Sequence, residues 1–288
     1  KTMCNPPLPA IFDEAAKKLI NDAEESVGWI YKAKDPNGLV GQIRHAIWSD
    51  VLICPQCKKE SLYSDVAVKR NPLRFIDYFI CPHCRKRSDL DQVEHATESA
   101  FDPLTKQKIT GKKRRLAIIY GQTNGKNWQR KANAEDTAFL KQIGRVQMPK
   151  CVPVVKMEWG DLQRNGYHKG ISHIHHFYTS RNLLAMAKLW EGIGKFEPAI
   201  QNALRLLVLS YNASHSTLMT RVVAKKDQTD FVLTGAQTGI LYVSSLPVEK
   251  NIFDNFINSK FVDLFIYEKK QPVISNNSYD MNSDEILI

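Results

Sequence analysis

Cys54-Pro55-Gln56-Cys57, followed after 23 residues by Cys81-Pro82-His83-Cys84, is the stretch on which the reading of this chain turns. Each Cys-x-x-Cys sets two thiolates on one tight turn, and two such turns can close a tetrahedral site for zinc. The spacer is longer than usual for the pattern, but it can hold a two-stranded hairpin. Leu62, Val66 and Val68 fall on even positions, Phe75, Asp77 and Phe79 alternate with Ile76, Tyr78 and Ile80, and Asn71-Pro72 suits a turn between them. The expectation is a zinc ribbon held by Cys54, Cys57, Cys81 and Cys84. The competing readings are two disulfides, which need an oxidising compartment, and a redox pair, which would explain only one of the two motifs. Four thiolates close the coordination shell, so the metal is assigned to folding rather than catalysis. His83 could compete as a ligand, and Cys4 and Cys151 are read as small, partly buried side chains.

Working outward, the next feature is charge. The 288 residues carry 40 Lys and Arg against 30 Asp and Glu, a net charge of +10. Residues 106–150 hold twelve of those cations against only Glu135 and Asp136, which leaves 28 of each sign elsewhere. A basic block of this kind favours polyanions, because neutralising phosphate releases counterions; the alternative is a solvated loop that aids solubility. Lys112, Lys113, Arg114, Arg115, Arg130 and Lys131 are the candidate nucleic-acid contacts within it. With 43% hydrophobic residues, no apolar run of membrane-spanning length and no signal-like apolar start, the expectation is a folded cytoplasmic protein with no membrane contact. The chain does not begin with Met, which suggests a piece of a longer protein.

The elements around the cysteines read as mixed α/β, in four parts: an N-terminal helix and strand (1–48), the ribbon (49–100), the basic segment (101–150) and a helical or α/β region (151–288). Pro9 opens a helix over 9–27 with Phe12, Ala16, Leu19, Ala23 and Val27 on one face and Gly28 as its stop. Residues 42–49 read as a strand with Ile43, His45 and Ile47 on one side, and 116–120 as another. Residues 182–191 and 198–211 read as helices, the first capped by Thr179 or Ser180 and stopped by Gly192. A strand is expected over 239–244, a third helix from Pro247 through Val248, Ile252, Phe256 and Ile257, an apolar run over 261–267, and a polar tail after Pro272.

The chemistry-bearing motifs outside the cysteines are few. In Ser172-His173-Ile174-His175-His176-Phe177-Tyr178-Thr179-Ser180-Arg181-Asn182, a strand would turn His173 and His175 one way and His176 the other. Two histidines on one face can share a metal or handle protons, but no carboxylate or cysteine is near in sequence. The alternative is a strand-to-helix corner that presents Tyr178 and Arg181 to a phosphate or base. Asn5-Pro6-Pro7-Leu8 has the outline of a base-flipping methyltransferase motif, but Leu8 cannot stack on a base, so it reads as a loop. Gly192-Ile193-Gly194 lacks the third glycine of a dinucleotide site, and no P-loop, nucleophile elbow or zinc-protease motif occurs.

The order of several segments carries a resemblance. These are Glu24-Glu25-Ser26-Val27-Gly28-Trp29-Ile30-Tyr31, Ile47-Trp48-Ser49-Asp50-Val51-Leu52-Ile53-Cys54-Pro55, the second Cys-Pro-x-Cys, the segment 170–183 and the run 239–251. Together they resemble the middle part of prokaryotic and phage site-specific, adenine-specific DNA methyltransferases that carry a zinc-ribbon insertion, over about residues 9–260. The resemblance implies methyl transfer from S-adenosylmethionine to an exocyclic base amine in DNA, and a partial Rossmann-like scaffold around the ribbon. It also implies that the cofactor loop lies upstream of Lys1 and the Asp-Pro-Pro-aromatic motif downstream of Ile288. No catalytic residue then carries over to this chain, whose partners would be DNA and the remaining segments of the methyltransferase. A non-enzymatic zinc-ribbon nucleic-acid-binding protein is the alternative.

Overall fold

The computed structural model describes residues 6–161, 163, 165–217, 220–225, 228–234 and 243–254. The chain opens with α1 (Pro9–Val27), which continues as a 3-10 turn over Gly28–Tyr31. Then follow β1 (Lys32–Lys34) and the long β2 (Val40–Ile53). The ribbon region holds β3 (Glu60–Leu62), the single turn α2 (Tyr63–Val66), β4 (Val68–Arg70), β5 (Leu73–Phe75), β6 (Tyr78–Ile80), β7 (Arg87–Asp89) and β8 (Glu94–His95). A hairpin of β9 (Thr97–Asp102) and β10 (Gln107–Lys112) leads into β11 (Arg114–Thr123), β12 (Lys126–Lys131) and α3 (Ala134–Ile143). After α4 (Asn165–His168) come the helices α5 (Ser180–Ile193) and α6 (Pro198–His215). The last described strands are β13 (Arg221–Val223), β14 (Val232–Thr234) and β15 (Val248–Lys250).

The fold is mixed α/β, built on a curled antiparallel sheet whose spine is β2. Gln42 pairs with both Lys32 and Gln122, Ala46 with both Ile119 and Glu249, and Leu52 with both Ser61 and His95. β2 is therefore paired on both edges, and its far end delivers Cys54. Every strand pairing among the described residues is antiparallel. A Rossmann-like core needs parallel strands joined by helical crossovers, so the described residues contain no such core.

One face of the sheet packs against helices. Phe12, Leu19 and Ile20 of α1 meet Leu184 and Leu189 of α5, Leu204 and Leu207 of α6, and Ile43, Ala46 and Ile119 of the sheet. The other face buries Ile47, Ala117 and Ile118 against Val68, Leu73, Val222 and Val248. Ile43 and Ile47 thus face opposite ways, although their spacing places them together. The register shifts between Tyr120 and Gly121 and between Leu116 and Ile118, and each added residue turns the strand over.

The expected α1 face is buried as read, but Gly28 has an ordinary helical φ of −60°, and the helix ends by tightening into 3-10 geometry. α5 begins at Thr179, whose hydroxyl accepts from the Asn182 N–H, and runs through Gly192 to Ile193. The helix expected from Pro247 is instead β15: residues 248–250 pair with Ile47, Ala46 and His45, because this edge of β2 offers an apolar slot for Val248. Phe256, Ile257, residues 239–242 and everything from 255 onward lie outside the described residues, and Val243 and Ser244 are not in a strand. No helix among the described residues is long and apolar enough to cross a membrane.

Candidate metal centre and charged surface

The two Cys-x-x-Cys turns are built alike. β2 and β3 flank the first, and β6 and β7 flank the second. In the first, the Cys54 N–H donates to the Lys59 carbonyl and the Lys58 N–H donates to Cys54 O; in the second, the Cys81 N–H donates to Lys86 O and the Arg85 N–H to Cys81 O. Lys58 and Arg85 occupy the same place in each turn and both have φ near +60°, at 59° and 60°. The intervening chain is not one hairpin, as expected, but β3, the turn α2 and the β4–β5 hairpin, which reverses at Asn71-Pro72.

The turns bring four sulfurs to one point. Cys54 Sγ lies 3.7 Å from Cys84 Sγ, and Cys57 Sγ lies 3.6 Å from Cys81 Sγ, with all four within 4.8 Å of one another. A tetrahedral ion with metal–sulfur bonds of ~2.3 Å sets its sulfurs about 3.8 Å apart. A disulfide needs about 2.05 Å, so the separations fit a shared metal and not a pair of disulfides. The donor chemistry agrees. The Cys57 N–H leads in drawing the Cys54 thiol down to about 6, helped by the Gln56 N–H and opposed by burial. The Lys59 N–H pulls on Cys57, but burial and the adjoining sulfurs push that thiol up to about 11. Four sulfurs packed together without a cation cannot all ionise; one ion at their centre removes that conflict. The His83 ring reaches the Glu60 carbonyl at 3.4 Å and stands outside the sulfur cluster. Cys151 donates to Ala187 O at 3.4 Å, far along the chain, with its thiol raised by burial. Cys4 lies outside the described residues.

No protein-family model, curated protein or solved structure matches the chain.

The candidate nucleic-acid contacts fare differently from the cysteines. Asp50, whose side chain is fully buried, takes Arg114 Nε at 2.7 Å, Lys112 Nζ at 3.1 Å and His95 Nδ1 at 3.1 Å. Burial alone would raise its carboxyl, but the bonds from His95, Arg114 and Lys112 outweigh that and hold it well below the usual range. Lys113 reaches Glu60 at 2.6 Å, Lys131 reaches Asp65 at 2.8 Å, and Arg115 makes a two-pronged contact with Glu98 at 2.8 Å on each arm. Arg130 grips Asp136 in the same way, at 2.6 and 2.8 Å. All six of these candidate cations are thus engaged by carboxylates.

Arg181 is interior, 1% exposed, and so does not face a ligand at the surface as expected. Its Nη1 lies 3.0 Å from Glu249 Oε2, its Nε donates to the Ile30 carbonyl at 2.8 Å, and its guanidinium sits 5.7 Å from the centre of the Tyr31 ring. Tyr178 lines an apolar cavity of about 300 Å³ with Val152, Ile174, Met186 and Trp190, and burial pushes its hydroxyl up to about 12. The corner that leads into α5 has turned both side chains inward.

The histidines are also rearranged. Residues 174–177 form a 3-10 turn rather than a strand, so it is His175 and His176 that converge, and they meet Asp102 from the β9–β10 hairpin. His175 Nε2 and His176 Nε2 lie 3.0 and 3.1 Å from Asp102 Oδ2. The spacing resembles a metal site, but the hydrogen bonds oppose one. His176 Nδ1 accepts from the N–H groups of Ser172 and His173 at 3.1 and 3.3 Å, which places its proton on Nε2, directed at Asp102. A metal would need that nitrogen's lone pair. The cluster is a polar junction that fastens the hairpin tip to the 172–178 segment.

Asp50, Asp102 and Glu249 are the residues that sequence reasoning passed over. A lone Asp inside the apolar run Trp48–Ile53 is a signal that buried cations must approach it. The charged groups that meet Glu249 and Asp102 give no local signal, since Arg181 is 68 residues from Glu249, and His175 and His176 are 73 and 74 residues from Asp102.

Proposed function

We propose that this chain is a zinc-stabilised DNA-binding segment of an S-adenosylmethionine-dependent, adenine-specific DNA methyltransferase of a restriction-modification type. The observation that carries the metal half is the four-sulfur cluster, whose separations match a tetrahedral thiolate site. Four soft thiolates favour zinc over harder cations, and a site without an open position stabilises the fold rather than taking part in chemistry. Cys54, Cys57, Cys81 and Cys84 would hold the ion, and reduced thiols suit the cytoplasm. The methyltransferase half rests on the sequence resemblance. On that reading S-adenosylmethionine binds in the remaining segments of the enzyme, and this chain supplies DNA contact and scaffold.

A second reading is a zinc-ribbon nucleic-acid-binding protein without enzymatic activity. The wholly antiparallel pairing of the described strands favours it, because methyltransferase cores of the expected kind are parallel.

Elemental analysis of protein purified without chelator tests the metal: about one zinc per chain is expected, and Cys57→Ser should abolish it. Zinc-free protein with a native circular dichroism spectrum would remove the metal reading. Methyl transfer to DNA by the 288-residue chain alone would overturn the placement of the active site in other segments. An in-frame cofactor loop in the flanking gene sequence would favour the enzyme over the binding protein.

A further inference from the structure

Pairing redistributes the charge of the molecule. The cations of β10–β12 are matched mostly with carboxylates from earlier in the chain: Asp50, Glu60, Asp65 and Glu98. Two of these, Glu60 and Asp65, are ribbon acids, and they are taken by Lys113 and Lys131. The ribbon's own cations are left without them. Among the described residues, Lys69, Arg74 and Arg87 make no ion pair with any carboxylate, although Arg74 and Arg87 are exposed and Lys69 is half-exposed.

Two of these flank one aromatic ring, and the third, Arg74, lies across the strand ladder from Lys69. The Arg87 guanidinium lies 4.1 Å from the centre of the Tyr78 ring, and Lys69 Nζ lies 5.5 Å from it. A hydrogen bond from Lys69 is the main influence that lowers the Tyr78 hydroxyl, with Arg87 and Arg74 adding their charge. Lys69 and Arg74 are also direct cross-strand partners on β4 and β5. Like charges opposite one another in a ladder are unfavourable, and among the described residues Asp89, across from Tyr78 on β7, forms no ion pair with any of the three. An anion placed among the three would relieve the repulsion.

We propose that this face of the ribbon, with Lys69 and Arg87 set around Tyr78 and Arg74 opposite Lys69, grips the phosphate backbone of duplex DNA. The proposal rests on the DNA-binding reading above and gives it a surface. Phosphate, rather than unstacked bases, is the target because the aromatic faces are already in use. Arg87 covers Tyr78, and the half-exposed Phe75 stacks on Phe231 with ring centres 6.1 Å apart. Bases need open rings to stack on, whereas exposed cations serve phosphates. Contact of this kind positions the duplex without reading its sequence.

The test is fluorescence anisotropy of a short labelled duplex with the full chain, titrated at several salt concentrations. The triple variant Lys69→Ala, Arg74→Ala, Arg87→Ala should lower the slope of log K against log salt by about 2.7, at about 0.9 per phosphate, and weaken binding at least ~10-fold near ~0.1 M salt. The control triple Lys108→Ala, Lys126→Ala, Lys141→Ala removes exposed cations of the basic segment and should change the slope by less than about 1. Salt-dependent binding that the ribbon triple leaves intact would overturn this surface while keeping the DNA reading. Absence of binding by the wild-type chain would overturn both. Loss of metal from the ribbon triple, with DNA binding retained by its folded fraction, would assign the three cations to the cysteine site instead.

Discussion

Glu249→Gln is the substitution that most directly probes how the interior is organised. Glu249 is 2% exposed and receives three groups: the Arg181 guanidinium, at 3.0 Å, the Trp48 indole N–H, at 2.6 Å, and the Thr179 hydroxyl, at 2.8 Å. Through these it ties β15 to β2 and to the start of α5. Gln keeps the shape and an acceptor oxygen but deletes the charge, so Arg181 is left buried and uncompensated. Breaking one side of a buried pair costs about 3–5 kcal/mol. Gln's retained hydrogen bonds place the expected loss near the lower end, about 3 kcal/mol. Against a total stability of about 5–15 kcal/mol, this is a large fraction. With an m-value of about 3 kcal/mol/M, the urea midpoint should fall by about 1 M. The double variant Arg181→Met, Glu249→Met should recover more than half of the loss, because it removes both charges and fills the space with apolar atoms. A Glu249→Gln midpoint within about 0.3 M of wild type, about 1 kcal/mol, would refute the reasoning. DNA binding provides a second check. Arg181→Met, measured on folded protein, should leave the salt slope unchanged, and a drop of about 1 would mean that Arg181 reaches a phosphate after all.

Two further outcomes follow from the same structure. His45, stacked on Tyr120 with ring centres 4.4 Å apart, and His215, 7% exposed, are both held down to about 4, chiefly by burial. The unfolded chain binds these protons from about pH 6.5 downward while the folded chain does not. Their contribution to stability is therefore complete above that pH and is lost as pH falls through about 4. Ring-proton NMR should give midpoints near 4 for both, and a midpoint of about 6.5 for either would contradict its burial. Gly170→Ala should cost about 2 kcal/mol or more. Gly170 has φ +87°, and an added Cβ would collide with the Gly111 backbone on β10. Thermal unfolding would measure the loss, and an unchanged midpoint would show that the hairpin does not press on this turn.

The features legible in the sequence were those whose cause is local. Two Cys-x-x-Cys turns fix their own geometry, and so the four cysteines that converge could be named without knowing how the chain between them ran. The apolar stripes of α1, α5 and α6 repeat at helical spacing, and the Thr179 cap sits next to the helix it closes. Residues 248–250 carry helical spacing in the sequence but form a strand, because a three-residue strand has no signal of its own and its conformation is set by the edge of β2. The faces of β2 are not legible from its alternation, because a bulge depends on the partner strand as well as on the strand itself. His175 and His176 meet through a 3-10 turn, and Asp102 reaches them from a hairpin some 73 residues earlier.

By itself, the sequence determined the two cysteine turns, the main helices and the sum of charge, because these follow from short-range spacing and from composition. Only the tertiary structure decided that the sheet is antiparallel, that Arg181 and Lys112 turn inward, and that the basic strands spend their charge on Asp50, Glu60, Asp65 and Glu98. A Coulomb interaction depends on distance in space and on burial, not on separation along the chain. Half of the cations in a segment that is strongly basic on paper are therefore matched by carboxylates in the fold, while Lys106, Lys108, Lys126, Lys141, Arg145 and Lys150 stay exposed.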